Sequence, residues 1–144
     1  MLQMEKILPG QVDELKMYLE VLPFQQASAV YPFTGCVLNL NVTTKVHRDH
    51  NDKEICLVIA ITDDEDCEGG ELCLMEPGLV FGLRNGDCII FPSCKISHFN
   101  LHFRGRRASL VFQSDKTFDD WLKDGNGWDG NIYIRLSASS EVGL

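Results

Sequence analysis

The chain has 144 residues, 44% hydrophobic and 24% charged, a composition that fits one globular domain with a real core and excludes a disordered or fibrous chain. Its formal net charge of −8 repels polyanions at long range and argues against a dedicated nucleic-acid binder, which usually carries a basic footprint. No apolar run approaches the ~18 residues of a membrane span, and Met1-Leu2-Gln3-Met4-Glu5-Lys6 lacks the basic flank and apolar stretch of a signal peptide, so the expectation is an intracellular protein, cytoplasmic or nuclear, with no membrane and no obligate protein partner.

A single domain over 1–144 is expected in three parts: a helical lead-in (1–33), a β core (34–114) and a C-terminal extension (115–144). In the lead-in, Val12, Leu15, Leu19 and Leu22 recur at helical spacing, and Pro9-Gly10 and Pro23 punctuate the ends. This predicts a helix covering the outside of a sheet. From Thr34 the pattern changes to short strands: Thr34–Asn41, Thr44–Asp49, Lys53–Ile61, Gly70–Glu76, Leu79–Leu83, Asp87–Pro92, Ser97–Phe103 and Arg107–Ser114. Turn chemistry separates them at Thr62-Asp63-Asp64-Glu65-Asp66, Pro77-Gly78, Asn85-Gly86 and Arg104-Gly105-Arg106. The fold class read from this is mainly β, two facing antiparallel sheets in a jelly roll, with an N-terminal helix and a short C-terminal helical segment. Phe118, Trp121 and Leu122 would pack that last segment on the barrel before Asp124-Gly125-Asn126-Gly127 breaks it, and Ser137 onward frays. The six cysteines form no C-x-x-C and sit mostly in apolar runs, as free core thiols do in a reducing compartment.

His47-Arg48-Asp49 is the feature that constrains the chemistry. Residues two apart on a strand project to one face, so His47 and Asp49 could chelate one ion. A third ligand should come from another strand, where His98, Asn100 and His102 share a face opposite a core-facing set of Phe99, Leu101 and Phe103. A hairpin at Arg104-Gly105-Arg106 would set Arg107 opposite Phe103 or His102, roughly 13 Å from the level of His98 at ~3.3 Å per residue. That spacing leaves room for a five-carbon dicarboxylate and selects His98 over His102. Two imidazoles and one carboxylate with open positions are the ligand set of non-haem iron(II) oxygenases. Alternation puts Arg107, Ser109 and Val111 on one face, where a planar guanidinium fork and a hydroxyl could hold a carboxylate. Asn39 and Asn41 are either further cosubstrate contacts or surface amides.

In order along the chain, His47-Arg48-Asp49, Glu68-Gly69-Gly70-Glu71-Leu72, Gly86-Asp87, Ser97-His98-Phe99-Asn100-Leu101-His102-Phe103 and Arg107-Ala108-Ser109-Leu110-Val111 carry a resemblance. The run from Val46 to Ser114 resembles the double-stranded β-helix of iron(II)/2-oxoglutarate oxygenases, and more narrowly the TET/JBP group and its fungal branch. The resemblance implies Fe(2+) held by His47, Asp49 and His98, and the distal carboxylate of 2-oxoglutarate on Arg107 and Ser109. With dioxygen as the other cosubstrate, a substrate C–H would be hydroxylated with release of succinate and CO2. The substrate implied is 5-methylcytosine or a related methylated pyrimidine in nucleic acid. The family places a His-Asn pair facing the base; here His50-Asn51 follows Asp49 directly, one position short of that pattern. Asn100 and Arg104 complete the candidate substrate contacts. Asp49, where a halogenase has Gly or Ala, leaves no site for halide.

Other readings stand beside it. The substrate could be a small molecule or a protein side chain, as the acidic total charge favours. A cupin-type metal module would use Gly86-Asp87, Pro92, His98 and Asn100, although cupins usually show H-x-H. A metal-free binding jelly roll leaves the histidines and Arg-x-Ser unexplained. Asp63-Asp64-Glu65-Asp66 is either a hard-cation site or a solvated connection. Trp121 and Trp128 either stack on a base or pack the tail.

Overall fold

The computed structural model describes residues 2–20, 22, 28–63 and 67–124. Among these, two helices lead in, α1 (Leu2–Ile7) and α2 (Pro9–Glu20), and one closes, α3 (Thr117–Asp124). Between them run nine short strands: β1 (Gly35–Leu40), β2 (Cys56–Thr62), β3 (Glu68–Gly69), β4 (Leu72–Leu74), β5 (Leu79–Phe81), β6 (Cys88–Phe91), β7 (His98–Asn100), β8 (Phe103–Arg104) and β9 (Arg107–Gln113). All strand pairs are antiparallel, in a four-stranded sheet of order β1-β9-β2-β6, a three-stranded sheet β5-β4-β7 and a ribbon β3-β8.

Strand alternation divides the four-stranded sheet into two faces with different partners. Leu57, Ile90 and Phe112 turn to the helices, packing with Leu15, Phe33, Ile55, Met4 and Leu8. Cys56, Val58, Ile89, Phe91 and Val111 turn the other way, onto Leu72, Leu74 and Phe81 of the three-stranded sheet. The result is a layer of helix over a β-sandwich, with the second core between the two sheets. In α2 the buried residues Val12, Leu15, Tyr18 and Leu19 form one stripe.

Several expected elements differ. The lead-in is two helices, with a break at Leu8-Pro9; proline suits the first position of a new helix, where no donor is needed. Leu22 lies beyond α2, and Pro23 falls outside the described residues. Thr44–Asp49 is not a strand. Its one ladder contact is a bridge in which His47 N–H donates to His98 O at 3.1 Å and His98 N–H to His47 O at 2.9 Å. Ser97–Phe103 divides into β7 and β8, which serve different sheets, because β8 leaves to pair with the unexpected short strand β3. Leu101, at the division, is 40% exposed and outside the core.

The predicted hairpin between Phe103 and Arg107 is absent: Arg104 pairs with Glu68, whereas Arg107 pairs with Thr62 across β2. All six cysteines are free, but only Cys56 and Cys73 are buried; Cys36 and Cys88 are exposed because β1 and β6 are the edge strands.

The closing helix is held by polar contacts. Tyr18 Oη donates to Asp119 Oδ1 at 2.5 Å, and Lys53 Nζ reaches Asp119 at 3.1 Å and Glu14 at 3.2 Å. Leu122 is 40% exposed and does not anchor the helix as expected. Tyr18→Phe, which removes one partly buried hydrogen bond, is expected to destabilise the chain by about 1 kcal/mol, read as a lower urea midpoint at unchanged slope. The break at Gly125, Trp128, the fraying beyond Ser137 and most of the Asp63–Asp66 run lie outside the described residues, as does the Trp121 side chain. No described helix is long and apolar enough to cross a membrane.

Candidate active site

A cavity of about 210 Å³ lies between the two sheets. The four-stranded sheet contributes Val37, Asn39, Cys56, Val58, Arg107, Ser109, Val111 and Gln113, and the three-stranded sheet Leu72, His98 and Asn100. Thr44, His47 and Asp49 enter from the irregular segment between β1 and β2.

At one part of this cavity the His47, Asp49 and His98 donor atoms lie within 4.8 Å of one another, a grouping that could hold a metal ion. His98 Nε2 is 3.4 Å from Asp49 Oδ2, and His47 Nε2 is 3.7 Å from Asp49 Oδ1. Two donors bound at ~2.1 Å to one ion sit roughly 3–4 Å apart, the range of these two histidine–carboxylate spacings, each of which runs to a different oxygen of Asp49. The tautomers suit a metal as well. His47 Nδ1 is 2.7 Å from Lys45 O and His98 Nδ1 is 3.0 Å from Ile96 O. A carbonyl can only accept, so each Nδ1 carries a hydrogen and each Nε2 is the atom that faces the carboxylate. On His98 it donates to Asp49 when the ring is protonated and is free to ligate a metal when the ring is neutral.

The electrostatics favour positive charge between these groups. The hydrogen bond to His98 lowers the Asp49 carboxyl, against its burial, and the charges of His98, His47 and His50 add to this. Burial works against the charged form of His98, but its bonds to Asp49 and Ile96 outweigh that and raise it. Behind Asp49, its N–H donates to Ser93 O at 3.2 Å, and the buried Ser93 hydroxyl donates to Asp52 Oδ2 at 2.5 Å. Burial raises the Asp52 carboxyl.

On the facing sheet, Arg107, Ser109, Val111 and Gln113 follow one another by alternation along β9. Arg107 is half-buried, and burial pulls its guanidinium below the ordinary arginine value. Its Nη1 donates to Gly70 O, which also accepts Asn100 Nδ2 at 3.3 Å. Asn39 lies opposite Ser109 in the β1–β9 register and donates to its Oγ at 3.4 Å.

The fold therefore gathers His47, Asp49, His98, Arg107, Ser109, Asn39 and Asn100 around one cavity. Asn41 is not among them. It has φ of 52° just past β1, and its Oδ1 accepts the Arg107 backbone N–H at 2.9 Å, so it caps the strand end. His50 and Asn51 line a neighbouring shallow groove that shares Asp49 and Gln113 with the cavity. His102 and Arg104 are exposed and outside it. Of the three neighbouring arginines Arg104, Arg106 and Arg107, the first two are at the surface, Arg106 on Asp63, and only Arg107 turns inward. Sequence reasoning missed Thr44 and Gln113. Gln113 was open to it as the next member of the Arg107 alternation, whereas nothing in the pattern marked Thr44, whose Oγ1 accepts the Asn100 N–H at 3.2 Å.

No family model matches the chain, and no curated protein matches it. Among solved structures, NgTET1 in complex with 5mC DNA is similar over 70% of this chain and 41% of its own, with a TM-score of 0.54 at 17% identity. The likeness is one of fold. An oxidoreductase of the 2OG-Fe(II) oxygenase family from Burkholderia pseudomallei matches 54% of this chain and 41% of its own, with a TM-score of 0.45 at 27% identity. The chain spans about two fifths of the length of either.

Proposed function

We propose that this chain is an iron(II)- and 2-oxoglutarate-dependent dioxygenase with a double-stranded β-helix (jelly-roll) core, acting on a substrate C–H bond. The observation that carries it is the pairing, in one cavity, of a His-Asp-His donor set with a half-buried arginine and a serine on the facing sheet. His47 Nε2, Asp49 and His98 Nε2 would hold Fe(2+), and Arg107 with Ser109 would take the far carboxylate of 2-oxoglutarate. Bound iron supplies the oxidising chemistry in which dioxygen, 2-oxoglutarate and substrate C–H become C–OH, succinate and CO2.

The residues perform three tasks in this scheme. The carbonyls of Lys45 and Ile96 keep both imidazoles in the tautomer that presents Nε2. Gly70 O, between β3 and β4, orients the Arg107 fork. The apolar lining from Val58, Leu72, Phe91 and Val111 limits water around the charged groups, which strengthens their interactions.

As substrate we propose a methylated pyrimidine, 5-methylcytosine first, in nucleic acid. Two things support this: the TET/JBP resemblance of His47-Arg48-Asp49 and Arg107-Ala108-Ser109, and the 5mC DNA in the NgTET1 complex that shares the fold. The groove lined by His50 and Asn51 adjoins Asp49 and would receive the base. The test is incubation with Fe(2+), ascorbate and 2-oxoglutarate, with succinate measured beside mass spectrometry of methylcytosine-containing oligonucleotides, single- and double-stranded. Oxidised methyl groups with matching succinate are expected. Succinate with unchanged oligonucleotides would move the substrate to a small molecule or a protein side chain, and no 2-oxoglutarate turnover under any condition would sink the oxygenase assignment.

A further inference from the structure

We propose that Arg48, Glu76 and Ser97 form a positioning clamp that sets the metal donors from outside the cavity; this rests on the metal site proposed above. Arg48 stands between His47 and Asp49, and Ser97 immediately precedes His98. Arg48 Nη2 donates to Glu76 Oε1 at 2.5 Å and its Nε to Ser97 Oγ at 2.9 Å. Ser97 donates to the same carboxylate twice, from its N–H at 2.7 Å and its hydroxyl at 2.8 Å. One carboxylate thereby joins both ligand-bearing segments, using the side chains adjacent to the ligands and none of the donor atoms.

The need for such a device follows from the local backbone. Between β1 and β2, the segment that carries His47 and Asp49 has no strand ladder. At the two donors its main-chain ties are the His47–His98 bridge and the Asp49 N–H to Ser93 O bond, with Asn41 N–H on Arg107 O before them and the Asp52–Asp115 bridge after. Glu76 is itself fixed, since Met75 N–H donates to Ser97 O at 2.8 Å in the turn after β4. Arg48 first, then Ser97, holds the Glu76 carboxyl down at about 2, so the acceptor stays ionised across the working range. The three groups are partly exposed, and an exposed ion pair contributes little to global stability. Its effect therefore falls on donor placement; partners bonded directly to a ligand are worth ~10–100-fold in metal affinity, and a clamp one residue further out sits at the low end of that range.

The test uses the intact chain with Mn(2+) as probe, free metal being read by its electron paramagnetic resonance signal. Arg48→Ala and Glu76→Ala are each expected to raise the Mn(2+) dissociation constant about tenfold, while thermal unfolding of the metal-free chain shifts little. Because the two act as one unit, the double variant should bind no more weakly than the worse single variant. Wild-type affinity in both single variants, or simple addition in the double, overturns the clamp. If Arg48→Ala fails to fold, Glu76→Ala and Ser97→Ala decide by the same criterion. Failure of the unaltered chain to bind Mn(2+) would instead remove the metal site on which the clamp rests.

Discussion

Replacing His98 with alanine is expected to abolish metal binding while leaving the fold in place. In the proposed site His98 would supply one of three donors, and it is the most buried of them, at 7% exposure. Its loss leaves one imidazole and one carboxylate, so the deficit should exceed the ~10–100-fold that removing an outer-shell partner costs. The backbone bridge to His47 uses main-chain groups and survives the substitution. The edge contact of the imidazole with Phe91 at 4.9 Å is lost, which predicts a modest drop in unfolding temperature. Anaerobic addition of Fe(2+) and 2-oxoglutarate should give a weak visible charge-transfer band in the unaltered chain and none in this variant. His102→Ala serves as the control, since that side chain is exposed and outside the cavity; it should behave as wild type. Normal metal and cosubstrate binding by His98→Ala would falsify the ligand assignment.

The second large effect is expected from the smallest change, Gly70→Ala. Gly70 has φ of 78°, a region an L side chain rarely adopts, and a Cβ there would collide with Arg107 Nη1 and meet Arg107 Cζ and Phe103 Cβ at 3.2 Å each. The backbone strain is on the order of 1–2 kcal/mol and reads out as stability. The displacement of Arg107 reads out differently. Hydrogen bonds to a charged group contribute about 1.5–3 kcal/mol, so a misplaced guanidinium should weaken 2-oxoglutarate binding by about 10–100-fold. Calorimetry with Mn(2+) present would measure it, beside Arg107→Ala. The two losses should be of similar size, and combining them should add little, because both remove the same contact. An alanine variant that keeps full 2-oxoglutarate affinity would show that Arg107 does not anchor the cosubstrate from this position.

The candidate site was legible in sequence to the extent that period-two alternation carried it. Arg107 with Ser109 on β9 is a pair whose shared direction follows from strand geometry, and both face the cavity. His47 and Asp49 face it too, but from an irregular segment where alternation does not set their direction. Alternation failed where the chain left regular structure. Asn41 was paired with Asn39 on paper, yet the left-handed backbone at 41 ends the strand and turns its amide to the Arg107 main chain. Phe99, Leu101 and Phe103 were read as one core face, but β7 and β8 separate between them, and Leu101 is left exposed. The choice of His98 over His102 shows the difference most clearly. It was argued from a hairpin that does not form, and the cavity nevertheless takes in His98 and leaves His102 out. Sheet pairing, not hairpin register, governs that arrangement.

By itself, then, the sequence determined a mainly β chain with helix before and after the β core, the residue types able to bind a metal and a carboxylate, and the order in which they occur. These are properties of neighbours, set by side-chain direction and turn chemistry over a few residues. Only the tertiary structure decided which groups meet. His47 and His98 are joined by a single bridge between an irregular segment and β7, and Arg107 reaches the cavity from the other sheet, held by a glycine carbonyl far from it in sequence. Long-range pairing of short strands depends on how two sheets twist and pack as a whole, and that information is spread over the core instead of residing in any motif.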